Sequence, residues 1–174
     1  MRFNFLTSVV LTLAVLACRG EGQDGGGGAS PVSQGAPSIE HPQTDNARTL
    51  DLLIDSLRYL PGQFVLLPEN RWSFVGANAL LAAFVPFADS GVVRLVDCLD
   101  APGEGAATVD GRKVPIGVLC SWALRRVASF EWGEADEVNG RWPGAVEPTA
   151  TRQQLEAAGR AWRPVVEQHR YRLN

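Results

Sequence analysis

The sequence predicts an all-α domain of about five helices, carried behind an apolar N-terminal segment and an unstructured tether. Three observations lead there. Apolar residues recur at helical spacing in four separate stretches. Residues suited to helix N-termini stand ahead of those stretches. Proline and glycine mark where most of them stop.

The chain opens with Met1 and Arg2, then a mainly apolar run from Phe3 to Ala17. One positive charge before a short apolar core is the pattern of a secretory signal. A bilayer span needs about 20 apolar residues, so this run is short for a permanent anchor. Nothing after residue 18 holds eighteen uninterrupted apolar residues. The run Leu13-Ala14-Val15-Leu16-Ala17-Cys18 resembles the lipobox of bacterial lipoproteins, in which small residues precede a lipidated cysteine. The resemblance implies that residues 1–17 are a removable signal peptide and that Cys18 becomes the mature N-terminus. It also implies a diacylglycerol on the Cys18 thiol and, often, a further chain such as palmitate on the amine. Two or three chains anchor stably, because each buried CH₂ contributes about 0.8 kcal/mol. Leu16 stands where the family more often has a smaller residue. Arg19 replaces the aspartate that signals inner-membrane retention in many Gram-negative lipoproteins, which points to the outer membrane. The resemblance covers the first nineteen residues and speaks of address, not activity.

Residues 18–46 are the lipidated cysteine and a linker rich in Gly, Ser, Pro and Gln. Its apolar residues are too sparse to offset the entropy of ordering. As a random coil, residues 19–46 have an end-to-end distance of about 30 Å, enough to lift a domain clear of a membrane surface. His41 falls in this linker and reads as solvated. The domain then runs over residues 47–174, long enough to bury a core.

Asp45 or Asn46 can cap a first helix, whose face is Leu50, Leu53, Ile54 and Leu57 and whose stop is Pro61-Gly62. "QFVLLPENRW" reads as a short extended piece or the end of a turn. "FVGANALLAAF", Phe74 to Phe84, is apolar nearly all round and suits a buried helix ended by Pro86. Ser90 can cap the next, with Val92, Leu95, Val96 and Leu99 as its stripe. Ala101 to Val114 is a loop, in which Asp110-Gly111 fits a tiny hairpin near 108–114 as well as a plain turn. Pro115 suits the first turn of a helix, and Ile116, Leu119, Cys120, Ala123, Leu124 and Val127 make its stripe. Residues 131–148 read as an acidic loop. Thr151 and Gln154 have capping-box spacing ahead of Leu155, Ala158, Trp162 and Val166. Pro164 predicts a kink or a split in that last helix. The pair 90–99 and 115–130 looks similar to a HEAT-type helical hairpin, in a single copy where a solenoid needs about three. "VDGRKVPIGVLC", "RWPG" and "EPTATRQQLEAAGRAW" resemble parts of uncharacterised bacterial envelope proteins, which carry no known activity across.

The net charge of −3 leaves no broad basic surface for nucleic acid. Cys98 and Cys120 fit either a structural disulfide, natural in an exported protein, or two buried free thiols. Two histidines, His41 and His169, and no CxxC make zinc a poor fit, and no other cofactor is implied. The acidic residues Glu131, Glu134, Asp136 and Glu137 do not meet EF-hand spacing. There is no G-x-S-x-G elbow, and Ser121, Ser129 and His169 have no arranged partner that sequence reveals, since a triad is assembled in space. Trp132 and Trp142 flank the acidic loop and are the candidate binding residues, since loop tryptophans anchor partners when they do not merely pin the loop. The reading is a membrane-anchored envelope lipoprotein whose domain is an interaction or structural module with an envelope protein as partner. The alternative is an envelope hydrolase using paired carboxylates such as Glu131 and Glu134.

Overall fold

The computed structural model describes residues 42–130 and 141–174. Five helices form there: Pro42–Leu57 (α1), Asn78–Ala82 (α2), Ala88–Asp97 (α3), Ile116–Val127 (α4) and Arg152–Glu167 (α5). Between them lie strands Gly62–Leu67 (β1), Arg71–Gly76 (β2), Glu104–Val109 (β3) and Arg112–Pro115 (β4). These make one mixed sheet in the order β2-β1-β3-β4, and the two-residue strands Ala128–Ser129 (β5) and Arg172–Leu173 (β6) pair separately. The fold is therefore mixed α/β, which corrects the all-α expectation.

The missed strands have a physical explanation. β1 and β2 pair antiparallel from Gly62↔Gly76 to Leu67↔Arg71. Phe64 and Phe74 are opposite one another and buried on the inner face. The outer face carries Val65 and Leu67 on β1 and Val75 on β2, beside the polar Gln63, Arg71 and Ser73. Apolar residues on both faces of β1 erase the period-two signal that marks a half-buried strand. The turn is a single 3₁₀ turn, Pro68–Asn70, in which Glu69 and Asn70 take φ of 70° and 55°. No Asn-Gly or Asp-Gly pair announces it.

The segment Phe74–Phe84, expected as one buried helix, is divided. Phe74–Gly76 finishes β2, and only Asn78–Ala82 is α-helical before a 3₁₀ turn at Val85–Phe87. Asn78 to Asp97 is apolar enough on average to pass for a span, but α2, the 3₁₀ turn and α3 break it into short pieces. Leu81, Phe84, Val92, Leu95 and Val96 on those pieces are buried in the core. α1 begins at Pro42, ahead of Asp45 and inside the segment read as tether.

β3 runs parallel to β1 and antiparallel to β4. Asp110 and Gly111 close the β3–β4 turn with φ of 49° and 75°, the left-handed pair that a two-residue hairpin requires. Val109, Val114, Ala107 and Phe64 make the inner face of the sheet. α4 runs through the core, with all of Ile116–Ser121 buried, as well as Ala123, Leu124 and Val127. Gly117 lets α4 approach the end of α3 closely, because a Cβ there would collide with the carbonyl oxygen of Leu99. Cys98 and Cys120 bridge the same two elements, with their Cα atoms 5.9 Å apart.

α5 starts on a capping box. Thr151 accepts from the backbone N–H of Gln154, and the Gln154 side chain accepts from the N–H of Thr151 at 2.8 Å. The helix continues past Pro164 to Glu167 without splitting. The C-terminal residues are held by Tyr171, whose hydroxyl donates to Asp89 at 2.5 Å, and by Asn174, whose N–H donates to the carbonyl of Val127 at 2.9 Å.

Candidate functional site

A groove of about 1200 Å³ lies at the end of the sheet where the β1–β2 turn projects. Asn70, Arg71 and Trp72 form one wall, at the start of β2. Trp122 and Arg125 of α4 also line it. Residues 141–150 and α5, through Ala157 and Arg160, form the opposite side.

Each side chain reaches the groove for a local reason. Trp72 is paired with Leu66, one step beyond the buried Phe64–Phe74 pair, so it sits on the inner face where the core runs out. Trp122 lies off the buried stripe of α4 and packs edge-on against Phe64, with ring centroids 5.0 Å apart. Its Nε1–H is buried and has no acceptor among the described residues. Arg125, one turn later, lays its guanidinium over the Trp122 ring at 5.3 Å, a cation–π contact. Arg125 also donates from Nη2 to the Val146 carbonyl at 2.8 Å, which ties segment 141–150 to α4. Burial pushes the Arg125 pKa below the ordinary arginine value, and the Glu147 carboxylate acts in the opposite direction. The group stays cationic at neutral pH, as arginines do.

Among the described residues four arginines line the groove, Arg71, Arg125, Arg141 and Arg160, with one carboxylate in the lining, Glu147, and Glu69 stands 3.8 Å from Arg71. The Arg141–Glu147 pair is loose, at 3.7 Å, and Arg141 is 84% exposed. Such pairs contribute about 0–1 kcal/mol, so the guanidinium is free to turn toward another anion. The groove is thus a local inversion of charge in a chain of net −3.

Trp142 has two surroundings at once. It lines the groove and also packs on Phe130 and Trp162, at centroid distances of 4.7 and 5.0 Å. Cys18, His41, Trp132 and the carboxylates Glu131, Glu134, Asp136 and Glu137 lie outside the described residues. Among the described residues no group of three metal-binding side chains comes together. Ser121 is buried in α4, whereas Ser129 and His169 are exposed. The groove residues that sequence reasoning did not propose for binding are Trp72, Trp122, Arg71, Arg125, Arg141 and Arg160. A signal for them exists: Trp72, Trp122, Trp142 and Trp162 each have an arginine within three residues in the chain, and Trp132 does not. Comparisons with protein-family models, curated proteins and solved structures give no match.

Proposed function

We propose that this chain is a lipid-anchored envelope protein, tethered through Cys18, whose folded unit is an interaction module for another envelope protein. The observation that carries the proposal is the groove built from Trp72, Trp122 and Trp142 with four arginines. Tryptophan and arginine are the residues most enriched among those that dominate binding energy at interfaces. They combine broad apolar contact with directed donors at small entropic cost. The lipobox-like segment and the Cys98–Cys120 bridge support an exported address, since disulfides belong to oxidising compartments.

The test is a photo-reactive amino acid placed at Ala157, on the groove wall, and irradiated in intact cells. The expected result is one dominant envelope-protein adduct, lost on adding Arg125→Gln. A control at Val75, on the outer face of the sheet, should give none. If adducts form equally from both positions, or from neither, the groove is not the contact surface. For the anchor, Cys18→Ser should move the protein from the membrane to the soluble fraction. Retention of that variant on membranes after a high-salt wash would refute lipidation as the tether.

A further inference from the structure

A second depression of about 470 Å³ is lined by Val109, Asp110, Arg112, Lys113 and Pro115, at the β3–β4 turn. Pro148, Thr149 and Ala150 line both depressions. The β1–β2 turn and the β3–β4 turn lie at the same end of the sheet, because β1 and β3 are parallel and β1 extends past Val109. The two depressions therefore share the wall Pro148, Thr149 and Ala150 at that end of the sheet, and together they are termed the track.

Charge is consistent along the track. Arg71, Arg125, Arg141 and Arg160 line its first part, and Arg112 and Lys113 its second. Among the described residues Glu147 and Asp110 are the only carboxylates in the two linings, and Glu69 pairs loosely with Arg71 from just outside them. Guanidinium and ammonium groups donate hydrogen bonds and accept none, so the track suits an occupant rich in acceptors. Carboxylates meet this need and pair with guanidinium in fork geometry. Hydroxyl-rich chains fit less well, because among the described lining side chains cations outnumber the free acceptors of Asn70, Thr149, Glu147 and Asp110. Ala145, Val146, Ala157 and Ala161 supply apolar wall between the cations, which accepts side chains and not ring hydroxyls.

We infer that the track binds an extended acidic peptide segment of the partner protein, with its carboxylates on Arg71, Arg125, Arg141, Arg160, Arg112 and Lys113 and its apolar side chains against Trp72 and Trp122. This rests on the interaction-module reading and names the chemistry of the segment that the module takes. Length is part of the inference: an occupant that filled only the first depression would not reach Lys113.

The test uses the mature lipidated protein in detergent and fluorescence anisotropy with three labelled probes. One is a short peptide alternating Glu and Asp with Leu. Its twin carries Gln and Asn in place of the acids. The third is an oligogalacturonate of matching charge. The acidic peptide should bind, and raising salt should weaken it. Arg141→Glu with Arg160→Glu should weaken it at least about tenfold, since a lost charge-assisted bond and a new repulsion exceed the free-energy difference of one decade. Lys113→Glu alone should weaken it about threefold or more if the segment spans both depressions. Arg48→Glu, on the exposed part of α1, is the control and should change little. The reversed arginines are surface groups, and unchanged thermal melting shows that each variant is folded.

Equal binding of the neutral twin, indifference to the Arg141/Arg160 reversal, or binding of the oligogalacturonate alone would each overturn the inference. An unaffected affinity in Lys113→Glu would overturn its extended form. Failure of all three probes while the Ala157 cross-link still captures a protein would remove the acidic segment and leave the module standing. Failure of the cross-link as well would remove both.

Discussion

The Cys98–Cys120 bridge permits a prediction with a worked magnitude. It joins residues 22 apart in sequence, at the end of α3 and within α4. In the chain-entropy model a closed loop of that size withholds about 11 cal/mol/K from the unfolded chain, or about 3.4 kcal/mol at 25 °C. The folded state loses little on reduction, because both sulfurs stay buried, with Cys98 5% and Cys120 0% exposed. Urea unfolding of a Cys18→Ser background, with and without reductant, measures the difference. At an m value of about 1–3 kcal/mol/M, the midpoint should fall by roughly 1–3 M on reduction. The m value itself should rise, since the reduced unfolded chain exposes more surface. Cys98→Ala with Cys120→Ala should lose at least as much and be blind to reductant. A loss below about 1 kcal/mol on reduction would refute the loop-entropy account. It would mean that the unfolded chain already keeps α3 and α4 together.

Gly117→Ala should destabilise by about 3 kcal/mol or more, at the top of the overpacking range, because the new methyl meets the Leu99 backbone carbonyl and not a movable side chain; calorimetry checks this, and a near-neutral result would mean that α4 can shift away from Leu99. Thr151→Ala removes the hydroxyl half of the α5 capping box, the acceptor for the Gln154 N–H, and leaves the Thr151 backbone N–H to donate to Gln154; it should cost about 1 kcal/mol in the same measurement. Burial and the Asp89 carboxylate push the Tyr171 pKa up to about 12, against about 10 in an unfolded chain. The folded state therefore holds this proton more tightly, and the contribution to stability is complete below about pH 10 and lost as pH rises toward 12. In a Tyr59→Phe background Tyr171 is the one tyrosine left, so its ionisation can be followed by ultraviolet absorbance, and Asp89→Asn should move it toward lower pH. Trp142→Ala should lower the melting temperature, because its ring packs on Phe130 and Trp162; an unchanged melting temperature would make Trp142 a pure contact residue.

Legibility followed local chemistry. α4 and α5 could be read because a clean stripe and a capping box are written within one stretch of chain. The β3–β4 turn could be suspected from Asp110-Gly111, since that pair tolerates left-handed backbone. β1 could not, because Val65 and Leu67 put apolar residues on the outer face and imitate a buried run, and β2 could not, because its end, Phe74–Gly76, opens the apolar run that continues to Phe84. β3 was hidden in "EGAATV", where small residues carry almost no pattern. The groove is a product of those hidden strands. Trp72 reaches it only because β2 pairs with β1, and Arg160 only because α5 lies against segment 141–150. The disulfide partners were nameable from composition, but their proximity depends on Gly117 letting α4 approach α3 closely.

The two outer strands of the sheet are not equally guarded against pairing with a second copy. β4 carries Arg112, Lys113 and Pro115 in four residues, and charge and proline on an edge discourage another strand from adding to it. β2 is longer, has Arg71 at one end only, and shows Val75 60% exposed near the other. Self-association in concentrated solution should therefore begin at β2. Val75→Lys would place a charge at the unguarded end of that strand and raise solubility without touching the core.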